Sequence, residues 1–199
     1  MNTNESDLEL KDRLTLIESM ISEGRHGTES WGWTFLLWGV AYYVAAAWST
    51  LGRSNWAWPV NMIAAAAITG IVGSRLKSGR PGTTVGRAMG AIWGGMGTAL
   101  FLVLMSLSIA GRFEPHVFIA FIGGMLGAAN AISGLILRWK MQLACALVWW
   151  SAGVAACFLS ADQTGILFLA ATFLCQIVFG IYAMTCDARR RGRQGAAHA

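Results

Sequence analysis

Glu114 and His116 lie in the polar run Gly111-Arg112-Phe113-Glu114-Pro115-His116, the one break between apolar segments where an acid, a base and an imidazole stand together. With Asp162 from a later polar break they supply three donors of the kind that bind a divalent metal. Charge of this density is ordinary in a loop, and no metal site is assigned. Cys145, Cys157, Cys175 and Cys186 form no CxxC pair. Helical rise separates the depths of Cys157 and Cys175 by roughly 9 Å, too far for a disulfide, and Cys145 and Cys186 fall toward the reducing side. The four read as free thiols packing as small apolar groups, which leaves a thiol-disulfide relay unsupported. His26 and His198 have no ligand-like company. GxSxG, HExxH and GxxxxGK[ST] are all missing, so neither an enzyme nor a cofactor is expected.

The remaining polar residues with functional potential sit inside apolar stretches. Asn130 follows Gly123 and Gly127 and precedes Gly134, at spacings of four, three and four that place all of them on one helical face. Gly90, Gly94 and Gly97 form a ridge on the preceding apolar segment. Glycines so spaced let backbones approach closely in lipid, so these two segments are expected to pair tightly. Gln176 shares a stripe with Thr172 and Gly180, and Asn61 shares one with Thr69. Asn61, Asn130 and Gln176 either line a polar path between helices or make interhelical hydrogen bonds worth ~0.6 kcal/mol each.

Such residues need a scaffold, and composition identifies it. Of 199 residues 55% are hydrophobic and only 13% charged, with ten Trp and 24 Gly, a balance outside the soluble range. Six segments approach the ~20 residues that cross a ~30 Å hydrocarbon core: Trp31–Leu51, Trp56–Ser74, Ala88–Ala110, Val117–Leu137, Leu143–Ser160 and Ile166–Thr185. The fold class is therefore all-α, a six-helix transmembrane bundle over residues 31–186. None of the six carries Asp, Glu, Lys, Arg or His at mid-depth, which argues against proton- or ion-coupled transport.

Orientation follows from the basic residues. Lys11, Arg13, Arg25, Arg75, Lys77, Arg80, Arg87, Arg138, Lys140, Arg189, Arg190, Arg191 and Arg193 all fall on one side of a six-span layout, and Arg53 and Arg112 alone fall on the other. The positive-inside rule then puts both ends in the cytoplasm. Because the positive charge is spread over short loops, a nucleic-acid surface is not expected. The first thirty residues lack the basic start and apolar run of a secretory signal.

Before the bundle, residues 7–23 carry Leu10, Leu14, Ile17 and Ile21 on one face of a helix, with Ser6 and Glu9 as a capping box at its start. Residues 1–30 hold seven acids against three basic residues, so this helix suits its own bundle, a second copy or a cytosolic partner better than an anionic lipid surface. Gly24 to Gly27 are expected to end it. After Asp187 a basic, disordered cytosolic tail is expected.

A threefold repeat of helix hairpins is suggested by Trp38-Gly39, Trp93-Gly94 and Trp150-Ser151 on odd spans. Ile68-Thr69-Gly70, Ile132-Ser133-Gly134 and Val178-Phe179-Gly180 answer them on even ones. The opening, from Met20-Ile21 through Gly32-Trp33-Thr34-Phe35-Leu36-Leu37-Trp38-Gly39, resembles a loose group of small uncharacterised bacterial multi-pass membrane proteins with a short cytosolic helix leading into a "FLLWG" first span. The resemblance covers about the first fifty residues. It implies a bacterial inner-membrane location and no particular activity.

Three functions compete. The first is a non-enzymatic regulatory or scaffolding module, homo-oligomeric or partner-bound, coupled through its N-terminal helix. The second is a pore or facilitator for a small neutral or apolar molecule. The third and weakest is an enzyme on a lipid-soluble substrate, recommended only by the Glu114 and His116 loop.

Overall fold

A computed structural model describes residues 3–54, 56–77, 84–112 and 114–197, all helices and turns with no strand among them. Arg80, counted in the charge balance, and His198 lie outside the described residues. Eight helices follow in order: α1 Thr3–Ser30, α2 Gly32–Leu51, α3 Ala57–Lys77, α4 Thr84–Ile109, α5 Pro115–Ile136, α6 Lys140–Ala156, α7 Ala161–Thr172 and α8 Phe179–Ala197. A π-helical turn, Phe173–Val178, joins α7 to α8.

Five helical segments are long and apolar enough to cross a membrane, within Glu9–Leu51, Ala57–Arg75, Thr84–Ile109, Pro115–Ile136 and Ala161–Gly192. α6 is apolar but only 17 residues long, about 25 Å at 1.5 Å per residue. It starts three residues before the expected segment and stops four before its end. Beyond Ala156 the chain turns, and Ser160 and Gln163 form a capping box that starts α7.

Both flanks differ from expectation. α1 begins at Thr3, upstream of Ser6, and runs through Gly24 and Gly27 to Ser30. Gly24 is buried against Val85 and Leu137, so packing holds in helical form a stretch whose glycines would otherwise end it. Only Trp31 interrupts the path into α2, with Trp31 N donating to Thr28 O at 3.1 Å and Thr34 N to Trp31 O at 2.9 Å. At the other end the expected disordered tail is helical to Ala197, as a continuation of α8.

α5 is the centre of the bundle, with eleven buried residues, and α4 is its least covered member, burying only Met89 and Leu100. Phe118, Trp149 and Phe168 from α5, α6 and α7 meet Tyr42 of α2 and Trp58 of α3 in one aromatic cluster. Trp139 fills the opposite end, its ring centroid 5.1 Å from that of Phe179.

Candidate functional site

The glycine face of α5 packs closely on another helix, with a partner other than the expected one. A Cβ on Gly123 would stand 2.7 Å from the Trp149 carbonyl oxygen and 2.8 Å from Gly153 Cα, and one on Gly134 would stand 2.9 Å from the Leu143 side chain. Gly127 lies against the Trp150 indole. All four neighbours belong to α6, whereas Gly90, Gly94 and Gly97 of α4 have nothing within 4 Å. The expected tight pair of the third and fourth segments is thus replaced by α5 with α6.

Two local causes account for this. At the end of α5, Arg138 adopts a left-handed φ of 48°, Arg138 N donates to Leu135 O and Trp139 N to Gly134 O. This Schellman turn reverses the chain at once and lays α6 along α5. α4 meanwhile presents bulky Met89, Trp93 and Leu100 to the core, which turns its glycine ridge outward.

The polar residues picked from sequence differ in their surroundings. Asn130 is buried, its Nδ2 donating to Leu126 O in its own helix at 2.8 Å while Oδ1 has no partner. Gln176 sits in the π-turn, buried, with Oε1 unpartnered, and Gly39 gives α2 room to pass beside it. Asn61 turns back to the Ala57 carbonyl at 2.8 Å. Sequence reasoning missed Gln142, which is fully buried with both amide atoms unpartnered, because it stands just before the apolar segment Leu143–Ser160 and beside the polar Lys140.

All four thiols are free as expected, but they are not all buried. Cys145 is buried beside Cys175, whose Sγ lies 3.6 Å from the Cys145 carbonyl oxygen, and Cys157 is exposed. His116 ties α5 to its neighbours, with Nδ1 3.0 Å from Ala156 O and 3.4 Å from Thr164 Oγ1. Among the described residues no three His, Cys, Asp or Glu side chains converge on a metal position.

Where α1 meets α8 the arrangement is more specific. Glu29 is 1% exposed, and its carboxylate lies 3.3 Å from the Arg190 guanidinium. One turn earlier on α8, Asp187 pairs with Arg191. Glu29, Asp187 and Arg191 border a cleft of about 310 Å³ with Trp33 and Met184 as its apolar wall. The acidic first helix and the basic last one are thereby clamped together, and Gly32 and Gly180 continue the close approach into α2.

Farther out, α1 has no cover. Residues 9–19 are all exposed, with Leu10 at 58%, Leu14 at 52% and Ile17 at 52%, while Ile21 is half-buried. Three apolar side chains on one face of a charged helix, Leu10, Leu14 and Ile17, are therefore held away from the bundle by a clamped base. Set against known proteins, the chain matches no family model, no curated protein and no solved structure.

Proposed function

We propose that this chain is a six-crossing bacterial inner-membrane protein with both ends in the cytoplasm, acting as a non-enzymatic regulatory or scaffolding module that couples to its partner through α1. The observation that carries the reading is the contrast within that helix: a base fixed by Gly24 and the Glu29–Arg190 pair, and a projecting half with Leu10, Leu14 and Ile17 in solvent. An exposed apolar face rimmed by charge is the ordinary form of a helix-binding surface. α6 supplies the sixth crossing under this reading, because a short apolar helix is accommodated by local thinning of the bilayer. The asymmetry of Lys and Arg supports the orientation, and the likeness of the first fifty residues to small bacterial membrane proteins supports the location.

Two hairpins of the suggested repeat share a contact: Trp38 Nε1 donates to Thr69 Oγ1 at 3.2 Å and Trp93 Nε1 to Ser133 Oγ at 3.0 Å. The third replaces the hydroxyl by Phe179, and its Trp150 Nε1 lies 3.4 Å from Gly124 O instead. We read the repeat as real in the first two hairpins and diverged in the third. A pore for a small neutral molecule is the second reading, favoured by the unpartnered atoms of Gln142, Asn130 and Gln176 in the interior.

Deleting residues 1–24 tests the first reading. The expected result is loss of at least one associated chain, measured as mass in detergent, with the unfolding temperature of the bundle nearly unchanged. Unchanged mass and unchanged co-purifying chains would count against it.

A further inference from the structure

We infer that the partner of α1 is the α1 of a second copy of this chain, packed parallel and in register. This rests on the reading of α1 as the coupling element and adds its occupant. Leu10, Leu14, Ile17 and Ile21 follow spacings of four, three and four, the seam of a two-stranded coiled coil with Leu14 and Ile21 at position a and Leu10 and Ile17 at d. In that register Arg13 falls at g and Glu18 at e.

A g residue of one strand meets the e residue five positions later on the other when two strands run parallel. Arg13 to Glu18 is that interval, so a parallel pair forms two opposite-charge contacts. Lys11, at the other e position of the seam, meets no like charge. Both side chains are free for this role: Glu18 is exposed, and Arg13 makes only an exposed contact to Glu9 within its own helix, an interaction of small value.

The surroundings select the parallel arrangement. α1 enters α2 through the single residue Trp31, and two copies inserted with one orientation project their first helices from the same side in the same direction. Gly24, the next d position, is already packed against Val85 and Leu137. The seam therefore ends where the bundle begins, and the exposed layers of Leu10, Leu14 and Ile17, with the half-buried Ile21 below them, remain for the second copy. Tethering in one membrane raises the effective concentration, which two heptads need in order to associate.

Charge reversal on the full chain in detergent, read as mass by light scattering at low salt, tests this. The wild type is expected at the mass of two chains. Arg13→Glu alone and Glu18→Arg alone each turn attraction into repulsion and weaken association roughly tenfold, and the two together restore it. Each variant keeps the unfolding temperature of the bundle, because neither side chain contacts the bundle.

A wild type at the mass of one chain would overturn the inference, as would a double variant no better than either single one. If deletion of residues 1–24 still removes a bound chain while the double variant fails to rescue, the coupling role of α1 stands and only the second copy is lost. If that deletion changes nothing, the underlying reading fails as well. As an independent check, Leu14→Cys is expected to cross-link to itself as a dimer under mild oxidation, and its absence would contradict the register.

Discussion

At the residue scale, glycine position decides packing only when the opposing surface is known. Gly123 and Gly94 look alike in sequence, each within a small-residue ridge of an apolar segment. Only Gly123 faces backbone, with the Trp149 carbonyl oxygen and Gly153 where its side chain would go. Backbone cannot move aside as a flexible side chain can, so Gly123→Ala is expected to destabilise the bundle by about 1–3 kcal/mol. Gly94→Ala fills open space and recovers helix propensity, worth up to about 1 kcal/mol. Thermal unfolding in detergent separates the two, and equal effects would show that the α5–α6 contact is not the tight one. Glu29 was invisible as a special residue beforehand. One acid among seven in the first thirty residues has no local signature, and its burial depends on Arg190, 161 positions later.

At the element scale, apolar runs and charge breaks located the helices well, because hydropathy and helix length are local properties. Their limits were less legible where tertiary contacts override propensity. Gly24 and Gly27 suggested an end to α1, yet the helix continues because Val85 and Leu137 close over Gly24. α8 extends into what reads as a solvated basic tail, since Arg190 has a carboxylate to pair with. The clamp between these helices has its own test. Arg190→Ala leaves the Glu29 carboxylate without that partner and should loosen α1 by about 1–3 kcal/mol. This is less than the ~3–5 kcal/mol of a fully buried pair, because Arg190 is 36% exposed. Faster limited proteolysis between residues 20 and 30 is the expected sign, and an unchanged cleavage rate would show that the ion pair does not hold α1.

At the scale of the whole molecule, an all-helical bundle with apolar helices of membrane-crossing length could be read from composition and periodicity alone. Helix partners could not. The third and fourth segments carry matching glycine ridges, but the Schellman turn at Arg138 and the bulky Met89, Trp93 and Leu100 set the neighbours differently. The surroundings of the polar residues were not legible either: Asn130 and Gln176 are buried, each with an unpartnered oxygen, whereas Asn61 turns back to the Ala57 carbonyl. Under the proposed function the bundle displays α1 on its cytoplasmic side.

Labelling with a membrane-impermeant maleimide in sealed right-side-out vesicles tests this most directly. Exposed Cys157, beyond the end of α6, should react in intact vesicles, whereas a Leu14→Cys variant in which Cys157 is replaced by Ser should react only after the membrane is opened. Labelling of Leu14→Cys in intact vesicles, or of Cys157 only after opening, would contradict the orientation and with it the role assigned to α1.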